Sequence, residues 1–349
     1  MKKLLRPLGF ILALAFLVLT FVNASWIAPG PRGYLKLVAH RGVHQQFSHA
    51  GLANETCTAT RIEPPIHDYI ENTVPSMLAA SSNGAQMIEL DIAPTKDGRI
   101  AVFHDWTLDC RTNGTGDTRE HTMAELKALD AGYGYTADGG KTFPLRGKGV
   151  GLIPSLEEVL QVLPEKPLLY NFKSKDAAEA DALAAALKAA GRNVESIGDG
   201  FYGDPAPIAR IRTHFPKAWA FTKDDAKACT TAYAWQGWFG LTPGVCKGGT
   251  IMIPLNRQWA FAGWPNRLIA RMAAVGAKVV LTGPYGDAAA LGLDLPEQVR
   301  KVPAGFNGYL WVDDIYAVGP AARPAYRKRN PVQEERFEAA MERRRKARE

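Results

Sequence analysis

Cysteine and histidine are scarce in this 349-residue chain, with four of the first and seven of the second. No cysteine pair has the spacing of a metal knuckle, and no His-x-Glu-x-x-His pattern occurs, so nothing supports a zinc site. Low-complexity linkers and short exact repeats are also missing, which argues against a modular array. Charge is sparse in the body of the chain. Of the net +7, residues 1–6 hold +3 and residues 321–349 hold +5, leaving −1 for residues 7–320. A neutral body gives no basic surface for nucleic acid, and none is expected as a partner. What is present is ample apolar material, 46% of residues against 22% charged, enough for one large folded domain.

The two ends differ from the body. Lys2, Lys3 and Arg6 precede an apolar run from Leu8 to Val22, placed where an export signal sits. Residues 1–30 are therefore expected to be a signal peptide or a membrane anchor, carrying the domain to the cell envelope outside the cytoplasm. Residues 321–349, from Arg327-Lys328-Arg329 through Arg343-Arg344-Arg345-Lys346, have few apolar residues and read as a solvated helix or loose tail.

Between the ends, short apolar or alternating runs at Leu35–Ala39, Met87–Ile92, Ile100–Phe103 and Pro167–Phe172 suit buried strands. Thr122 with Glu125 has capping-box spacing, and Asp176 with Glu179 opens an Ala/Leu-rich stretch closed by Gly191. Ser155–Leu163 and Asn266–Val275 are further helix candidates. Strands alternating with helices across residues 34–320 predict one α/β domain, of a size that suits a (β/α)8 TIM barrel. Propensity alone does not separate that from a doubly wound sheet.

Three expected strands run into polar residues that a purely structural element has little reason to carry: His40-Arg41-Gly42, Glu89-Leu90-Asp91 and His104-Asp105. Carboxylates at i and i+2 of a strand share a face. Buried there, Glu89 and Asp91 repel unless a cation lies between them, and a hard, oxygen-binding ion such as Mg²⁺ or Ca²⁺ answers that need. Two imidazoles, an acidic metal site and Arg41 are the set that phosphodiester cleavage requires. His44, His49, His67, His121 and His214 lack such a context and read as surface or satisfied histidines.

The chain resembles the glycerophosphodiester phosphodiesterase family. The resemblance rests on His40-Arg41-Gly42, Glu71-Asn72-Thr73, Glu89-Leu90-Asp91 with Thr95-Lys96-Asp97-Gly98, and His104-Asp105. It continues through Arg111-Thr112-Asn113-Gly114, Leu129-Asp130-Ala131-Gly132 and Ile153-Pro154-Ser155-Leu156-Glu157-Glu158, in the family's order over about residues 35–175. It implies a phosphodiesterase-type (β/α)8 barrel that hydrolyses a small glycerol-linked phosphodiester to glycerol 3-phosphate and an alcohol, with one divalent cation. Carried over by position, His40 is the base and His104 the acid, Arg41 a phosphate ligand, Glu89 and Asp91 metal ligands, and Glu71 a partner of Arg41 or of the metal. The same apparatus acting on a lysophospholipid and ending at a cyclic phosphate is the alternative activity, and an impaired binding protein the alternative class.

Departures from the family pattern carry their own expectations. Asn171 stands where the family has a third acidic ligand, two residues before Lys173, so the site loses a charge and weak metal binding is expected; Lys173 is expected to neutralise phosphate. The stretch from His40 to Glu71 is long and is read as a lid or specificity loop. Four cysteines allow two disulfides in three connectivities, and Cys57–Cys110 with Cys229–Cys246 is favoured because the first pair would lie on loops over the site. Five of eight tryptophans fall between Trp219 and Trp264 and are expected in the core, and Trp311 is the residue expected to touch substrate.

Overall fold

The computed structural model describes residues 2–53, 56–286, 292–326 and 329–347. Arg327 and Lys328, and the side chains of Lys2, Lys3 and Arg6, lie outside the described residues. Nine strands form the sheet: β1 Lys36–Ala39, β2 Met87–Pro94, β3 Ile100–Val102, β4 Leu168–Phe172, β5 Gly200–Gly203, β6 Trp219–Thr222, β7 Thr250–Pro254, β8 Lys278–Thr282 and β9 Tyr309–Val312. Their order is β6-β5-β4-β2-β1-β9-β8-β7, all parallel, with β3 added antiparallel to β2. This is a nearly closed (β/α)8 barrel. The β6/β7 seam lacks a strand ladder among the described residues and is bridged by side chains. Trp219 Nε1 donates to Thr250 Oγ1 at 2.9 Å, and Thr230, on helix 223–236, accepts from the Met252 N–H at 2.9 Å.

A parallel barrel buries both faces of its strands, and two apolar layers result. Leu37, Ile88, Leu90, Leu168 and Leu281 face the helices, whereas Val38, Met87, Leu169, Tyr202, Phe221 and Val280 fill the interior. Stacked rings carry that fill toward the mouth: Trp219 on Tyr309 at 4.7 Å, Trp219 on Phe221 at 5.1 Å, Tyr202 on Phe221 at 5.6 Å, and Trp311 edge-on to Tyr202 at 5.7 Å. The Thr122/Glu125 capping box is formed as expected, and Ser155 with Glu158 forms a second one. The Ala/Leu-rich helix runs Ala178–Ala189.

The strand expected before His104 is formed as β3, which pairs antiparallel on β2 outside the parallel ring. Two expectations are corrected. The basic C-terminal segment is a helix, as one expectation had it, but not free of the barrel: helix Pro331–Lys346 buries Phe337, Ala340 and Met341 on one face, and Arg344 pairs with Glu63 at 2.7 Å and Asp314 at 2.6 Å. A few apolar residues on one face, with an arginine satisfied by two carboxylates, are enough to dock it. Trp235, Trp238 and Trp259 are exposed rather than in the core.

At the other end, helix Lys2–Asn23 exposes Phe10, Leu14, Leu17 and Phe21, among others. Among the described residues no helix is long and apolar enough to cross a membrane. Both expected disulfides, Cys57–Cys110 and Cys229–Cys246, are formed.

Candidate active site

The polar residues gather where the strands end. His40 follows β1, Glu89 and Asp91 lie on β2, Asn171 lies on β4 with Lys173 just past it, Tyr202 lies on β5 and Asp313 follows β9. The turn after β1 is locally demanding. Arg41 has φ +59° and Asn72 φ +58°, a left-handed conformation seldom adopted outside glycine. The Arg41 N–H donates to Glu89 Oε2 at 2.9 Å, and Asn72 exchanges two hydrogen bonds with Asp91 through its amide group. At Gly42, φ +77°, an added Cβ would fall 2.2 Å from Ser76 Oγ, so only glycine fits the third place of His-Arg-Gly.

Each histidine is held by its own aspartate. His40 Nδ1 lies 2.8 Å from Asp313 Oδ1, and its Nε2 receives Arg41 Nε at 3.2 Å. His104 Nδ1 lies 2.6 Å from Asp105 Oδ1, and its Nε2 receives Lys173 Nζ at 3.0 Å. These contacts suit the tautomer with the proton on Nδ1, leaving Nε2 as the working atom. The two halves meet through Glu71, whose oxygens accept from Arg41 at 3.0 Å and Arg111 at 2.8 Å; Arg111 also donates to Asp105 at 2.6 Å. Glu71 is thus partner to both arginines.

Electrostatics separate the rings. Burial pulls the His40 pKa down, but Glu89 and the Asp313 hydrogen bond outweigh it and raise it. Burial and the Arg41 charge lower His104 to about 4, against the pull of Asp91 and Asp105. Burial would raise Glu71, yet Arg111 and Arg41 hold it down to about 2. Glu89 is pushed up by burial and by Asp91 beside it, whereas His104, Lys173 and Arg41 keep Asp91 below the carboxylate range.

Several working groups carried no individual sequence signal. Asp313 was legible only as an acid at the end of the last strand, and Tyr202, which donates to Glu89 Oε1 at 2.5 Å, had no motif. Arg111 stood in the motif run without a role, and the long 41–70 segment supports it directly, Thr58 Oγ1 accepting from Arg111 at 2.6 Å. His44, expected to be an ordinary histidine, is buried against His40 with ring centroids 5.9 Å apart, and among the described residues its Nε2 has no partner. Trp311 lies 5.4 Å from the His40 ring and half-open to the mouth.

A sequence profile described as the glycerophosphoryl diester phosphodiesterase family matches residues 40–227, over half of the chain. The chain belongs to that family. The match reaches well past residue 175, where the motifs stop. Glycerophosphodiester phosphodiesterases of Caldanaerobacter subterraneus and Bacillus subtilis are 40% identical over 105 residues and 44% over 93, which is 30% and 26% of this chain. The aligned parts span 40% and 30% of those relatives' length. A glycerophosphodiester phosphodiesterase structure from Agrobacterium tumefaciens superposes with TM-score 0.55 at 21% identity, covering 82% of this chain and 99% of its own. An Oleispira antarctica phosphodiesterase solved with sn-glycerol-3-phosphate gives TM-score 0.53 at 18% identity, over 86% and 98%. At such identities these structures speak for the fold.

The family uses a divalent metal, and the donor set of this family member fits one. Glu71, Glu89, Asp91, Asp105 and Asp313 face only three fixed cations, Arg41, Arg111 and Lys173, so two positive charges are wanting. Glu89 and Asp91 are fully buried hard-oxygen donors on one strand face. Asn171 Nδ2 donates to Asp91 Oδ1 at 2.7 Å, so its amide, where a third acid would stand, steadies Asp91. His40, His44 and Asp313 also bring ligand atoms within 4.8 Å of one another, but Asp313 already holds His40 there.

Proposed function

We propose that this protein is a metal-dependent phosphoric diester hydrolase that cleaves glycerophosphodiesters to glycerol 3-phosphate and an alcohol. The observation that carries this reading is the pair of aspartate-held imidazoles joined through Arg41, Glu71 and Arg111 around two buried carboxylates. Glu89 and Asp91, with the Asn171 amide oxygen, would hold one Mg²⁺ or Ca²⁺, which supplies charge to the phosphoryl oxygens. Arg41 and Lys173, flanking the two Nε2 atoms, bind the phosphate anion, and Trp311 borders the glycerol or alcohol part.

In the first step the substrate's 2-hydroxyl attacks phosphorus. His40 Nε2 takes the hydroxyl proton, and a proton from His104 goes to the departing alcohol oxygen as its P–O bond breaks, leaving a cyclic phosphate. Water then opens the ring with the roles reversed. The apolar N-terminal helix supports retention at a membrane of the cell envelope, outside the cytoplasm. Assaying glycerophosphocholine and lysophosphatidylcholine in parallel, with Mg²⁺ or Ca²⁺, tests the substrate class. Release of glycerol 3-phosphate from the first is expected. A cyclic product from the second alone, or no turnover of either, would refute the reading.

A further inference from the structure

The end of the barrel opposite the catalytic groups carries an unusual surface. Residues 237–249 join the C-terminal end of helix 223–236 to the N-terminal end of β7, where Lys278 N donates to Gly249 O at 2.9 Å and Gly248 N to Val275 O at 2.8 Å. Every proposed catalytic group lies at the other ends of the strands. This connection and the helix turn before it expose Trp235, Trp238, Phe239, Leu241 and Val245. They are not displayed on a loose loop, because the Cys229–Cys246 disulfide pins the connection to the helix. Large apolar side chains held outward in this density are uncommon on a surface that meets only water.

The apolar N-terminal helix is seated on this same surface. Asn23 Nδ2 donates to the Trp238 carbonyl at 2.8 Å, Arg271 donates to Val22 O at 3.1 Å, and the Asn266 N–H donates to Ser25 Oγ at 2.8 Å. Gly240, φ +78°, lets Val22 approach so closely that a Cβ there would lie 2.6 Å from it. Trp26, 78% exposed, and Ile27 continue the apolar surface from the helix end. A groove lined by Val22, Arg267 and Ala274 opens beside them.

We infer that this surface rests on a phospholipid bilayer. The tryptophans and Phe239 sit at headgroup depth around the foot of the apolar helix. Tryptophan prefers that depth because its ring is apolar and its N–H is wet. The consequence is orientation: with this end on the membrane, the catalytic mouth opens away from it, toward diesters dissolved in water. The inference rests on the chain retaining its N-terminal helix and is independent of turnover.

The test uses full-length protein, its intact mass verified, bound to vesicles of three parts phosphatidylcholine to one part phosphatidylglycerol. Bromine on the acyl chains near the headgroup quenches nearby tryptophan. The native protein should float with the vesicles and be quenched. W235S/W238S should lose more than half of that quenching while melting at the native temperature. W106S, on the catalytic side, should lose none. F239D, a second variant, should also weaken the quenching by lifting the surface from the lipid. Native protein that does not float overturns both the membrane reading and this inference. Protein that floats with W235S/W238S quenched like the native chain overturns the inference alone.

Discussion

The two histidine arms of the site share one plan and differ in one charge. In each, an aspartate holds Nδ1 while a cationic side chain meets Nε2. Asp313 takes its remaining hydrogen bond from the Gly292 N–H, so its negative charge is left for His40. Asp105 shares its charge with Arg111. Beyond the paired aspartates, Glu89 adds a negative charge that raises His40 against burial, whereas burial and the Arg41 charge lower His104. What an imidazole does depends on the other charges around it as well as on the carboxylate that holds it.

The strongest challenge to this comparison is removal of the rings. H40A and H104A should each lower kcat by roughly 10²–10⁴-fold with little change in melting temperature, because proton transfer contributes about that much; near-native turnover in either would remove it from the chemistry. Next, D313N and D105N separate the arms. Both should cost on the order of 10²-fold or more in kcat through lost ring orientation. Only D105N should also destabilise the fold, since it strips buried Arg111 of a carboxylate, and urea melts would read the difference.

E71Q tests the bridge between the arms. Leaving Arg41 and Arg111 short of a buried counter-charge should cost about 3–5 kcal/mol in urea unfolding. Its pH dependence has a definite sign. The Glu71 pKa falls from the ordinary glutamate value of 4.5 to about 2 on folding, so its contribution is complete above 4.5 and is lost as pH drops toward 2. E71Q should flatten that acid limb.

Removing the disulfides compares the two ends of the barrel. C57S/C110S should cost about 2–4 kcal/mol and also lower kcat, because Cys110 adjoins Arg111 and Cys57 adjoins Thr58; C229S/C246S should lower stability and leave kcat intact. The smallest effect is expected at Asn171. N171D should destabilise the metal-free protein by setting a third acid against Asp91, yet tighten Mg²⁺ or Ca²⁺ binding by about tenfold in a titration after chelation. Equal affinity in both forms would show that the amide costs the site nothing.

The sequence by itself determined the α/β class, the strand-end residues His40, Glu89, Asp91 and His104, and the Thr122/Glu125 capping box. Each of these is written in local order, as a period, a spacing or a short motif, and local order survives in one dimension. Only the tertiary structure decided that Asp313 holds His40, that Tyr202 holds Glu89, that Glu71 serves two arginines, and that the charged C-terminal segment docks as a helix. The exposure of Trp235 and Trp238 belongs with these. Contacts made across the barrel between residues far apart in the chain set what a side chain touches and what charge it feels, and no short stretch of sequence records them.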